Sequence, residues 1–420
     1  EMKDSGIEWL GKIPKEWEVL RNKNIFEHRP KIFNRSDNTT VLSLTIKGVK
    51  VKTDLSFGKS TESYIGHQMV KRGELIFTPR DFDATPILSG IAPEDGCISN
   101  LYFVLKTNNI TTEKYVNYYW WGLKYGYDYF KKQSYGIRYS FNQEQFSIIP
   151  FIKPNTIEQQ KIANFLDIKT SEFDSIISKK EQLIEKLEEA KKSLISEVVT
   201  GKVKIVDGEL VEREPEEMKD SGVEWLGMIP KDWEVKKLKY ISNIKNGATP
   251  KTNVETYWNG DINWFTPTDF GNKYLETSGR TITQKGYLSC GTNLVPKDSI
   301  LITCRAPIGN LGIVASEFAT YNQGCKAIIV DNNEALMKYI YYYLLAGIEY
   351  IKSRGKGTTF MELSSFDLSN LELGIQKTAK QQKIVNFLDI KASEFNSIIT
   401  KTQQQITKLK EAKQSLISEA

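Results

Sequence analysis

Few residues in this chain could do chemistry unaided. Its 420 residues contain two histidines, His28 and His67, and four cysteines, Cys97, Cys290, Cys304 and Cys325. That supply is too small for a histidine-rich metal site, and with so few histidines a serine–histidine–aspartate relay is not expected. The cysteines lack C-x-x-C spacing and read as free, mostly buried thiols in a reducing cytoplasm. Gly6-Ile-Glu-Trp-Leu-Gly11-Lys12 has the spacing of a phosphate-cradling loop. However, Ile13 stands where Ser or Thr would hold magnesium, and no apolar strand precedes it. No G-x-G-x-x-G follows a strand, and no Asn-Pro-Pro-aromatic or Asp-Pro-Pro-aromatic tetrad is present for amino-group methylation. Asp81 and Asp83 could pair as carboxylates, but nothing nearby completes a metal site, and they read as turn-capping loop residues. An enzyme working alone is not expected.

What remains is basic and amide chemistry, unevenly distributed. The chain holds 57 Lys+Arg against 52 Asp+Glu. Residues 20–150 hold 18 against 12, residues 236–375 hold 15 against 12, and residues 158–197 hold 7 against 9. Positive charge therefore leans toward two stretches, as a phosphate-contacting surface requires; an ordinary solvated surface would also account for so small a bias. No apolar run is long enough to span a membrane, and the first 20 residues do not form a signal peptide.

The elements that carry these stretches are duplicated. EMKDSGIEWLGKIPKEWEV at 1–19 recurs as EMKDSGVEWLGMIPKDWEV at 217–235, identical at 16 of 19 positions. Met228 there replaces Lys12, further weakening the phosphate-loop reading. Residues 158–197 recur at 380–419, identical at 29 of 40 positions. A period of about 220 residues indicates a duplicated domain, not a solenoid. Between the repeats the copies diverge but keep an order. Val70–Arg80 aligns with Val295–Arg305, each a turn, a short strand and Thr-x-Arg. A second strand (Leu101–Leu105, Ala327–Val330) and an aromatic helix (Glu113–Leu123, Glu334–Leu345) follow. A glycine-containing loop (Tyr135–Tyr139, Arg354–Phe360) comes last.

Neither 158–197 nor 380–419 contains Pro or Gly; each reads as one helix of roughly 60 Å at 1.5 Å per residue. A heptad-like seam runs through Phe173, Ile176, Lys180, Leu183, Leu187, Ala190 and Leu194. In the second copy it runs through Phe395, Ile398, Thr402, Gln405, Leu409, Ala412 and Leu416, and Ile177 and Ile184 widen the stripe. Such a stripe needs a partner helix, and the other copy is expected to supply it, antiparallel. Lys180, Thr402 and Gln405 either lean to the surface or face one another and fix register. Trp9, Leu10, Ile13 and Trp17, with Trp225, Leu226, Ile229 and Trp233, are expected to anchor each insert, with Pro14 and Pro230 setting the turns.

The order insert, long helix, insert, long helix resembles the specificity subunit of type I restriction–modification systems. So do Gly222–Val235, Gly247-Ala-Thr-Pro-Lys251, Asp261-Ile-Asn-Trp264, Cys304-Arg-Ala-Pro-Ile-Gly309, Asn322-Gln-Gly324, Gly357-Thr-Thr-Phe360 and Gln381–Leu388. The first insert departs further, its Thr78-Pro-Arg80 and Gly136-Ile-Arg138 fitting only partly. The resemblance implies an α+β chain with two α/β target recognition domains. Two long antiparallel helices, forming an intramolecular coiled coil with pseudo-two-fold internal duplication, would join them. Expected boundaries are 1–19 (anchor), 20–155 (first recognition domain), 156–200 (central helix), 201–235 (connector and anchor), 236–377 (second recognition domain) and 378–420 (C-terminal helix). The sequence starts at Glu1 and lacks, after Ala420, the Val-Val-Thr-Gly-Lys that follows Glu197, so both ends are expected to be trimmed.

The same resemblance implies no catalysis and no cofactor of its own. Partners would be double-stranded DNA, two methyltransferase subunits bringing S-adenosylmethionine, and nuclease/translocase subunits bringing ATP and magnesium, in the cytoplasm. DNA-contacting candidates, taken from loop position and chemistry, are Arg80, Lys131, Lys132, Tyr135, Arg138 and Tyr139 in the first insert. In the second they are Lys251, Arg305, Gln323, Arg354, Lys356 and Thr358. Arg80 and Arg305 lead because both follow corresponding strands; an internal salt bridge to a loop carboxylate is their alternative. A duplicated adaptor that binds no nucleic acid is the rival reading.

Overall fold

The computed structural model describes residues 1–54, 63–82, 86–134, 139–331, 333–356 and 361–420. It is a mixed α/β fold. Two compact units emerge, Glu1–Gln182 with Thr402–Ala420, and Leu183–Lys401.

In the first unit, the opening repeat forms a hairpin, Met2–Asp4 against Lys12–Pro14. Gly6 and Gly11 take positive φ in its loop, which only glycine adopts cheaply. Trp9 packs on Tyr127 and Tyr129, ring centres 4.6 and 5.3 Å away, and the Trp17 indole donates to Glu158 at 2.9 Å. Glu18–Arg21 pairs with Pro150–Lys153 and so closes the insert. Inside it, Leu75–Phe77 is the central strand between Phe103–Leu105 and Ser89–Ile91. The aromatic helix, Glu113–Tyr127, is capped by the Thr112 hydroxyl and seals a core of Phe77, Trp120, Phe130, Phe146 and Phe151.

The second unit repeats the hairpin as Met218–Asp220 with Met228–Pro230 and the closing pair as Glu234–Lys237 with Glu372–Ile375. Trp225 packs on Tyr343 and Tyr350. Where the first copy has Glu158, the second has Lys380, which pairs with Asp232 instead. Among the described residues this insert has the larger sheets. Five strands run in the order Asn243–Asn246, Cys325–Ile329, Ile300–Thr303, Leu311–Val314, Tyr274–Leu275, and four more form a second sheet around Trp258–Phe265. The aromatic helix begins at Met337, later than the expected Glu334.

Two buried glutamines at equivalent repeat positions tie insert to helix. Gln159 accepts from the Thr111 hydroxyl and donates to the Ile110 and Pro154 carbonyls. Gln381 accepts from the Leu336 amide and donates to the Glu334 and Gln376 carbonyls. Backbone groups at the helix entry, otherwise orphaned, are thereby satisfied. A second device also recurs. Asp167 accepts from Lys114 and Tyr118; Asp389 accepts from Lys338 and Tyr342, and additionally from Lys273.

The long helices run Thr156–Val199 and Thr378–Glu419. In each unit a segment of one lies antiparallel to a segment of the other. In the first unit Asp174 pairs with Lys413 at 2.7 Å and Lys180 donates to Gln405 at 2.7 Å; in the second Lys191 donates to Asn396 at 2.8 Å. The facing register differs from the expected seam. Ile176, Leu183 and Ile398 are about half exposed, whereas Ile177, Ile399, Thr402 and Ile406 are buried. Inward positions alternate by three and four through Phe173, Ile177, Lys180, Ile184, Leu187 and Lys191, so half of the expected seam moves by one residue. Adjacent pairs such as Ile176-Ile177 leave composition unable to choose. Lys191 and Lys413, whose stems cover apolar surface while their amines reach a partner, hide the true period. Thr402 lies in the seam, whereas Gln405 flanks it and is met by the half-buried Lys180.

Candidate nucleic-acid interface

In the second insert a buried strand, Ile300–Thr303, delivers Arg305 to the surface. Cys304, fully buried, pins the strand end from two sides. Its amide donates to the Gly324 carbonyl at 2.7 Å, and its carbonyl accepts the Leu363 amide at 2.8 Å. Burial pushes the Cys304 thiol up from its ordinary pKa, so it packs as a neutral group. These two bonds bring the Asn322-Gln323-Gly324 turn and the segment after the glycine loop beside Arg305. The Gln323 side chain accepts from Thr249, which adds the loop Gly247–Lys251. Gly247 has no alternative there, since a Cβ would meet the Asn322 carbonyl oxygen at 2.2 Å.

Arg305, Gln323 and Lys356 therefore share one neighbourhood, bordered by Lys251. Arg305 donates to Glu362 at 3.0 Å, both side chains being well exposed; this is the internal salt bridge that the sequence left open. Exposed pairs are worth only about 0–1 kcal/mol, so the guanidinium can exchange partners. Lys356 is bridged through its backbone to Glu362 and reaches Asp367 at 3.4 Å. The Ser364 hydroxyl, and then Lys356, hold the Asp367 carboxyl below its ordinary value. Arg354 stands over the Tyr350 ring, 4.8 Å from its centre, and donates to its hydroxyl. Lys251 is exposed. Thr358 lies outside the described residues.

The first insert uses the same connection. The Pro79 carbonyl, next to Arg80, accepts the Phe141 amide at 2.8 Å, as Cys304 accepts Leu363. Gly73 and Asp298 take positive φ at aligned positions before the strands. Arg80 is exposed. The Lys131 amine lies 5.6 Å from the centre of the Tyr139 ring, and Lys132 is exposed at the end of Tyr129–Lys132. Tyr135 and Arg138, like Asp83, lie outside the described residues. Asp81 adopts a left-handed turn conformation, which carboxylate residues tolerate.

The sequence reading passed over three residues on the second surface: Thr249, Glu362 and Arg280. Glu362 follows the glycine loop directly, but only strand pairing places it against Arg305. Arg280 lies on the Trp258 ring, 3.6 Å from its centre; tryptophans flanking a strand were the available signal. Among the described residues no group of three or more metal-ligating side chains occurs, and no helix is long and apolar enough to cross a membrane.

Comparison with known proteins adds sequence relatives to this geometry. Residues 230–408 match the type I restriction modification DNA specificity domain. The MjaIX type I restriction enzyme specificity subunit of Methanocaldococcus jannaschii is 38% identical over 43% of this chain and 41% of its own length. The EcoR124I/EcoR124II specificity subunit of Escherichia coli is 31% identical, again over 41% of each. These two alignments thus span about two-fifths of the relatives they match. The putative MjaX specificity subunit of Methanocaldococcus jannaschii aligns over 97% of this chain and 94% of its own, at 24% identity. A solved chain from work on assembly and conformational transition of the type I restriction–modification system shares the fold, with TM-score 0.69 at 14% identity over 97% of both chains. Residues 230–408 thus match a type I restriction modification DNA specificity domain, and the chain is similar along its length to proteins named type I restriction enzyme specificity subunits.

Proposed function

We propose that the chain is the non-catalytic, sequence-reading subunit of a cytoplasmic DNA-modifying complex. Two recognition domains, over 20–155 and 236–377, each read one half of an asymmetric, bipartite site in double-stranded DNA. Basic side chains at each insert's loop cluster contact phosphates and set register, while arginine and amide side chains contact base edges in the major groove. The observation that carries this reading is the convergence of Arg305, Gln323 and Lys356 at one strand end, within the span that matches a DNA specificity domain.

The long helices form the intramolecular coiled coil that sets the spacer between half-sites. In support, each helix contributes to both compact units, and equivalent lysines, Lys191 and Lys413, tie the helices in each. The same duplicated framework is the platform for two methyltransferase subunits, one per recognition domain, with nuclease/translocase subunits added. S-adenosylmethionine, ATP and magnesium belong to those partners, and this chain needs no cofactor.

Methylome sequencing of cells with and without the chain tests the reading. A bipartite, asymmetric methylation motif should disappear with it. If no sequence-specific methylation depends on the chain and the purified protein shows no salt-dependent DNA binding, the adaptor reading replaces this one.

A further inference from the structure

We infer that Arg280 is a specificity-determining residue of the second recognition domain, reading a base edge through a guanidinium held over the Trp258 ring. This rests on the DNA-binding reading proposed above.

The guanidinium carbon lies 3.6 Å from the centre of the Trp258 ring and 5.7 Å from that of Trp264. Those two indoles meet edge to face, 5.0 Å apart. Both are nearly fully buried, at 7% and 4% exposure, whereas Arg280 itself is exposed. A cation on an indole face gains from the ring quadrupole. A guanidinium over an aromatic face contacts it through its π surface, which leaves its N–H donors available for other partners.

The backbone beneath is fixed on both sides. The Arg280 carbonyl accepts from the Trp264 amide at 3.2 Å and from the Ser278 hydroxyl at 2.6 Å. The Gly279 amide donates to Asp269 at 2.8 Å, and Thr281–Ile282 pairs with the Trp258–Phe265 strand. A planar donor fork on a rigid strand end suits bidentate recognition, and guanine O6 and N7 are its natural acceptors.

Position connects this fork to the loop cluster. The Trp258 indole donates to the Lys251 carbonyl at 3.2 Å, and the Trp264 indole to the Ala248 carbonyl at 3.0 Å. The indoles that carry Arg280 thus also hold the Gly247–Lys251 loop, whose Thr249 bonds Gln323. Arg305, in contrast, sits in an ion pair with Glu362. Arg280 is placed by the indole ring, and among the described residues it has no ion pair to break.

The test introduces Arg280→Lys and Arg280→Ala into the full chain, expressed with its complete restriction–modification operon, followed by methylome sequencing. Competition binding of the purified complex to duplexes varied one base pair at a time supplies the magnitudes. Both variants should relax the requirement at one base pair of one half-site, with discrimination falling roughly five- to a hundred-fold, while the other half-site and complex assembly stay unchanged. Lysine keeps the charge but not the fork, so it should fail to rescue. An unaltered motif in both variants overturns the assignment. So does a uniform loss of affinity across sequences that lysine restores, which is the behaviour of a phosphate contact. Absence of any sequence-specific methylation by the wild-type chain sinks the DNA-recognition reading itself, and this inference with it.

Discussion

Replacing Asp389 by asparagine tests how the second insert is fastened to its helix. The carboxylate accepts from Lys273 and Tyr342 at 2.6 Å and from Lys338 at 2.8 Å, with 30% of the side chain exposed. Burial alone would push this carboxyl up, but the hydrogen bonds from Lys273, Lys338 and Tyr342 outweigh it and hold the pKa at about 2, against 3.8 ordinarily. That difference corresponds to about 2.4 kcal/mol at 1.36 kcal/mol per pH unit. Solvent screening of a partly exposed group reduces it, so about 1–2 kcal/mol is expected. The folded-state pKa is depressed, so the contribution is fully present above the unfolded value near pH 4 and is lost as pH falls toward 2.

The assay is denaturant unfolding of wild type and Asp389→Asn from pH 7 to pH 2. The stability gap should be constant down to about pH 4.5 and then close. Asp167→Asn, which removes an anion serving a single lysine, should cost less. A gap that does not change across pH 4 to 2, or equal costs at the two aspartates, would falsify the reasoning.

Four further predictions follow from the packing and from the Arg305–Glu362 ion pair. Ile177→Ala should destabilise the chain by about 2–4 kcal/mol and Ile176→Ala by well under half of that, measured by the same unfolding; equal costs would restore the originally expected seam. Gln381→Leu leaves a backbone amide and two carbonyls at the helix entry unpaired, at about 1–3 kcal/mol per orphaned group before relaxation, and amide exchange should rise at Leu336 first. Arg305→Ala should weaken protection of one half-site while leaving helix content and methyltransferase assembly intact. Glu362→Gln, which frees that guanidinium, should raise affinity for DNA of any sequence and steepen its salt dependence; unchanged affinity would mean that Arg305 does not face DNA.

The amino-acid sequence by itself determined the duplication, the two long helices and the order of elements in each insert. Those features rest on local or repeated signals: forty residues without Pro or Gly, near-identical anchors around Trp9 and Trp225, and aligned Thr-x-Arg strand ends. It also placed Arg80 and Arg305 on corresponding loops. Helix register was not legible, because Ile176 and Ile177 are chemically equal and only the partner helix decides which one is buried. Nor were the contacts that assemble the second surface. Arg305 meets Glu362 across 57 residues, and Arg280 meets Trp258 across a strand pair interrupted by a bulge. No periodicity encodes such meetings, since they depend on which strands pair and in what register, which the whole insert settles only when its core closes.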